Sequence, residues 1–212
     1  MSRHGDTLPG VDEICVWSVA LHRAARAPIA LTTAEHRVAG NIYSGRARAR
    51  YVAGRTLLRR RLGRMLGRDP LAVEIVYGPD DKPGLADPVL SFNVSHAGDQ
   101  ILIAVSRPRR LGVDVERIRP DFDLHAVSEE LLESADRDAI ARAAAREGVR
   151  AFFRYWTRYE ALVKARGDGL VVPLRGLAEV AAGFEVRELD VTRGYVAAVA
   201  ADGNPWRVVR CG

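Results

Sequence analysis

The chain has 212 residues, 48% hydrophobic and 28% charged: enough for one large domain or two small ones with a buried core, and too apolar for intrinsic disorder. Its formal charge of +5 points to anionic partners. No apolar run approaches the ~20 residues of a membrane helix, no secretory-signal pattern opens the chain, and the only cysteines, Cys15 and Cys211, stand at opposite ends without metal-ligand spacing, as free thiols of a cytosolic protein do.

In chain order, residues 1–10 read as a terminal tail and Ile14–Leu21 as a strand. Thr33 is the expected cap of a short helix from Ala34. A long helix over Gly45–Leu66 follows from the period of Val52, Leu57, Leu58, Leu62, Met65 and Leu66, with Gly67 ending it. Leu71–Tyr77 reads as a strand and Gly78–Gly84 as a loop. Val89–Val94 and Ile101–Ser106 read as buried strands joined by Ser95–Gln100. After Pro108 come a strand at Leu111–Arg117 and helical segments at Val127–Leu132, Ser134–Glu147 (with Ser134 as N-cap) and Val149–Arg166, the last closed by Gly167. Strands near Phe184–Leu189, Tyr195–Ala201 and Trp206–Val209 finish the chain. The class is α+β. Both halves, 1–107 and 108–212, read as strand, helix, then strands, and a cleft between them is the expected place for a site.

Four constellations carry chemistry. In Gly112-Val113-Asp114-Val115-Glu116, residues two apart share a strand face, so Asp114 and Glu116 project together as hard oxygen ligands suited to Mg²⁺. An exposed strand edge would carry the same pair. Trp156, Glu160 and Lys164 stand at i, i+4 and i+8 on one helical face, as a surface Glu–Lys pair also would. Phe92-Asn93-Val94-Ser95-His96 runs a strand into a hydroxyl and an imidazole fit for phosphate oxygens, or into a plain turn. Arg48, Arg55 and Thr56 share a helix with a run of other arginines; they form either a phosphate clamp or part of a solvated basic stripe. Among 32 basic residues only Lys82 and Lys164 are lysines. Both lie in or beside these motifs, where a compact ammonium does what a guanidinium does not. Carboxylates for a divalent ion together with cations for phosphates are the equipment of phosphoryl transfer.

The ordered set Lys82-Pro83, Phe92–His96, Gly112–Glu116 and Trp156-Thr157-Arg158-Tyr159-Glu160-Ala161-Leu162-Val163-Lys164 through Gly167-Asp168-Gly169-Leu170 resembles the Sfp-type 4′-phosphopantetheinyl transferases, over roughly Arg48 to Leu170. The resemblance implies two pseudo-two-fold-related α+β halves with coenzyme A between them. It also implies transfer of phosphopantetheine to a serine of an apo acyl or peptidyl carrier protein, with release of adenosine 3′,5′-bisphosphate. Carried over residue by residue, it implies Asp114, Glu116 and Glu160 as ligands of Mg²⁺, Glu160 as base for the serine hydroxyl, and Lys164 as the cation at the pyrophosphate. Ser95 and His96 would contact phosphates, Arg48, Arg55 and Thr56 would take the 3′-phosphate side, and Lys82 with Pro83 would lie near the adenine. One position departs from the family pattern: where lysine usually precedes the helix glutamate, this chain has Tyr159. The length and two-half plan look like the monomeric branch; the free cysteines imply a cytoplasmic protein, the short apolar runs no membrane partner, and an aromatic content of only 7% no nucleic acid. Two other functions fit the residues: a basic protein using Arg48–Arg64 on nucleic acid, with salt-sensitive affinity, and a relative that binds coenzyme A without turnover.

Overall fold

The computed structural model describes residues 7–78, 81–123, 132, 134–167, 169, 176–203 and 205–212. The chain divides into two units: Met1–Pro108 with Pro205–Gly212, and Arg109–Asn204.

The first unit opens with β1 (Glu13–Ala20), which buries Ile14, Cys15, Val16 and Trp17. One helical turn, α1 (Leu21–Ala24), follows. Helix α2 (Thr33–Gly40) begins with a capping box one residue earlier than the sequence reading placed it. Thr32, not Thr33, accepts the Glu35 amide, and the Glu35 carboxylate accepts the Thr32 amide at 2.9 Å. Helix α3 (Gly45–Leu66) has the expected bounds: Ser44 caps its start and Gly67, at φ 63°, ends it in the left-handed conformation.

The segment expected as one strand, Leu71–Tyr77, is shortened at its start, where Pro70, just before it, opens a turn that takes in Leu71 and Ala72. Asp69 caps a 3-10 turn at Pro70–Ala72, and only β2 (Ile75–Tyr77) is extended. It pairs antiparallel with β3 (Pro83–Leu85), inside the stretch read as loop; Pro79 and Asp80 lie outside the described residues. Strand β4 (Ser91–Ala97) runs past its expected end through Ser95 and His96. It turns over Gly98, at φ 52°, and Asp99 into β5 (Gln100–Ser106). The sheet order is β4-β5-β1-β9, in which β9 (Arg207–Arg210), from the far end of the chain, lies parallel to β1. Sequence reading put this last strand in the second half. Leu57, Leu58, Leu62 and Met65 of α3 cover the sheet residues Trp17, Phe92, Ile101, Ile103 and Val105.

The second unit is an antiparallel sheet in the order β6-β8-β7, built from β6 (Leu111–Arg117), β7 (Glu185–Leu189) and β8 (Tyr195–Ala201). Its helices are α4 (Ser134–Glu147), α5 (Arg150–Arg166) and a short α6 (Leu177–Val180) that periodicity did not reveal. The expected helical segment Val127–Leu132 lies outside the described residues except for Leu132, and Ser134, expected as the N-cap of α4, is instead its first helical residue. Helix α5 lies on β6 and β8 because the sheet offers it small residues: Ala198 and Ala200 of β8 are fully buried beside Ala161, Leu162 and Ala165. Mixed helix and sheet in this arrangement make the fold α+β, as the sequence indicated.

Candidate active site

Gly112 sets the distance between β6 and α5. A Cβ there would run into the Ala161 carbonyl oxygen and the Ala165 amide nitrogen, and would come 2.9 Å from the Lys164 carbonyl carbon. Only a glycine lets the strand lie this close to the helix backbone. Asp114 and Glu116 project from the same strand face as Gly112. The outcome is an ion pair of 2.6 Å between the Lys164 ammonium and Asp114 Oδ1, with Glu160 Oε2 at 3.9 Å from the same nitrogen. Asp114 is only 3% exposed, so the reading of this pair as an open strand edge does not hold.

Three carboxylates share this region with one ammonium. Burial, then the Asp114 charge, pushes the Glu116 carboxyl up to about 7, against the pull of Arg119 and Lys164. Burial also raises Glu160; Lys164 opposes the rise and Asp114 adds to it. A positively charged chain thus holds a locally acidic spot, a surplus of carboxylates in which burial and a neighbouring carboxylate raise Glu116 and Glu160. Hard oxygen donors with this surplus suit a divalent cation of the Mg²⁺ class. Among the described residues no three acidic, imidazole or thiol groups are already grouped as an ion-binding cluster; the Lys164 ammonium stands between Asp114 and Glu160 instead.

Tyr159 stands at the position where the family pattern has lysine. It is buried and stacks on Tyr155 and Trp156, with centroids 6.2 and 6.3 Å away. A lysine at 159 in this packing would bury its charge among aromatic rings.

The first unit contributes a second candidate site, a pocket of about 200 Å³ lined by Arg50, Tyr51, Gly54, Arg55, Leu58, Pro83, Val94 and His96. Of the residues expected to bind phosphate or adenine, Arg55, Pro83 and His96 meet here. The others do not line it. Arg48 turns its guanidinium onto the Ile42 carbonyl, at 2.8 and 3.1 Å. Thr56 is buried and accepts the Ala30 amide at 3.3 Å, a tie inside the fold. Ser95 is buried while His96 is exposed, because the strand continues through both and alternation sends them to opposite faces. Lys82 is half-buried next to Pro83, outside the lining.

Sequence reading missed Arg50, Tyr51 and Gly54. The helical spacing Arg50, Gly54, Leu58 was the available signal: a glycine between two larger residues on one face leaves a hollow. It also missed Glu35, which accepts Arg59 Nε at 2.7 Å and faces Arg55 Nε at 3.4 Å.

A sequence profile of the 4′-phosphopantetheinyl transferase superfamily matches residues 110–210, the stretch that carries the acidic spot and α5. The 4′-phosphopantetheinyl transferase HetI of Nostoc sp. is 31% identical, over 92% of this chain and 90% of its own length. The 4′-phosphopantetheinyl transferase AcpT of Salmonella typhimurium is 37% identical over 58% of this chain and 61% of its own length. A 4′-phosphopantetheinyl transferase of Bacillus subtilis is 28% identical over 73% of this chain and 64% of its own length. With similarity to HetI running through both units, and the motif residues Asp114, Glu160 and Lys164 in mutual reach, the chain belongs to the 4′-phosphopantetheinyl transferase superfamily.

Proposed function

We propose that this 4′-phosphopantetheinyl transferase takes its group from coenzyme A, attaches it to a serine hydroxyl of an apo acyl or peptidyl carrier protein, and releases adenosine 3′,5′-bisphosphate, with Mg²⁺ as cofactor. The observation that carries this reading is the acidic spot: Asp114 on β6 and Glu160 on α5 on either side of the Lys164 ammonium, with Glu116 beside them. Asp114, Glu116 and Glu160 are the residues that would hold the metal. Bound there, it would supply positive charge to a pyrophosphate.

The chain's own residues do the rest. Glu160, made more basic by burial and by the Asp114 charge, accepts the proton of the serine hydroxyl. The serine oxygen bonds to the phosphorus that bears pantetheine as the bond from that phosphorus to the leaving nucleotide oxygen breaks. Lys164 neutralises charge that collects on the leaving phosphate; an ammonium does this as a point charge. Arg55 of the first unit's pocket is the cation for the coenzyme's own phosphate, His96 is a ring N–H donor to it, and Pro83 lies beside the base.

Among the described residues no helix is long and apolar enough to cross a membrane. We place the reaction in the cytoplasm, with the enzyme as a monomer. Coenzyme A is polyanionic and carrier domains are commonly acidic, so the net charge of +5 favours both encounters. The test is mass spectrometry of apo carrier proteins incubated with the chain, coenzyme A and Mg²⁺. The expected result is one added phosphopantetheine per carrier. No addition across acyl and peptidyl carriers, with coenzyme A still bound, would identify a non-catalytic binder instead.

A further inference from the structure

The β2–β3 hairpin places against the pocket arginine one group that no sequence motif singles out. Arg55 is held on three sides. Its Nε faces Glu35 at 3.4 Å, its Nη2 donates to the Tyr77 hydroxyl at 2.6 Å, and its guanidinium carbon lies 5.8 Å from the ring centroids of both Tyr51 and Tyr77. Glu35 is also the partner of Arg59, at 2.7 Å, so one carboxylate serves two guanidiniums and the group keeps a net positive charge. The Arg55 side chain is only 10% exposed. Its Nη1 is buried and donates no hydrogen bond among the described residues. Arg55 lines a pocket that also presents Arg50 and His96, with no acid in its lining. An anion rich in acceptor oxygens is what such a wall receives.

We propose that Tyr77 is a positioning residue: its hydroxyl fixes the Arg55 guanidinium on the pocket wall, where its charge meets the terminal phosphate monoester of the coenzyme. This rests on the transferase reading above. Glu35 anchors the inner side of Arg55 and Tyr77 the outer. Tyr77 is 55% exposed, so removing its hydroxyl leaves the core untouched. An arginine held on two sides loses little freedom when the phosphate arrives, which is where affinity is gained.

The experiment measures binding of coenzyme A and of 3′-dephospho-coenzyme A to the full chain, wild type and Tyr77→Phe, each also in an Arg55→Gln background. KM and kcat for coenzyme A are measured alongside. The expected result is that the wild type prefers coenzyme A. Tyr77→Phe should weaken it about fivefold to tenfold, shift the dephosphorylated form less than about twofold, and raise KM by more than it lowers kcat. In the Arg55→Gln background, Tyr77→Phe should add nothing, because its effect passes through that arginine. Equal weakening of both ligands, an unchanged preference, or additive effects of the two substitutions would overturn the proposal while leaving the transferase reading in place. A wild type that binds neither ligand would overturn both.

Discussion

Replacing Gly112 with alanine tests whether contact between β6 and α5 is what builds the acidic spot. The added methyl would meet backbone atoms, the Ala161 carbonyl oxygen, the Ala165 nitrogen and the Lys164 carbonyl carbon, and none of these can swing aside as a flexible side chain would. The strand must back away from the helix. Overpacking of this kind costs about 1–3 kcal/mol, and collision with a helix backbone puts Gly112→Ala near the upper end, about 2–3 kcal/mol. With a urea m-value of about 2 kcal/mol/M, the unfolding midpoint of the second unit should fall by about 1–1.5 M. Moving β6 also carries Asp114 away from Lys164, so transfer to a carrier should fall further than stability alone explains. Gly40→Ala is the matched control. Nothing lies within 4 Å of a Cβ at that exposed helical position, so it should be neutral or slightly stabilising. An unchanged midpoint and full activity in Gly112→Ala would refute the role given to this contact.

Three further outcomes are expected. Asp114→Ala and Glu160→Ala should each abolish transfer as read by carrier mass spectrometry, and retained turnover in both would remove the carboxylate assignments. Lys164→Arg keeps the charge but replaces an ammonium 2.6 Å from Asp114 with a planar fork; kcat should fall by about tenfold or more, and wild-type turnover would show that charge alone suffices. For Glu35, burial pushes its carboxyl up, but the Arg59 hydrogen bond, the Thr32 amide and both arginine charges outweigh it, so it lies below its ordinary 4.5. That stabilisation is therefore complete above about pH 4.5 and lost as pH falls through the folded value. Glu35→Gln should cost about 3 kcal/mol near neutrality, and the gap in urea midpoint from wild type should narrow as pH falls below 4.5; a gap that stays constant in acid would contradict the linkage.

The sequence alone determined the local elements wherever one periodicity ran unbroken between clear ends. Helix α3 is bounded by Ser44 and Gly67, α5 ends at Gly167, and β6 has the residues read for it. The same holds for the acidic residues of the spot, because i, i+2 on a strand and i, i+4 on a helix are fixed by backbone geometry. Tertiary structure decided what each side chain faces. Thr56 and Ser95 carry phosphate-binding chemistry but point inward, Arg48 is taken up by a carbonyl six residues away, and Glu35, one helix away, reaches Arg55 and Arg59. Two arginines a whole number of turns apart share a helix face, but which of them finds a pocket depends on the neighbours packed against that face. Those neighbours come from α2 and the β2–β3 hairpin, which no spacing within α3 encodes.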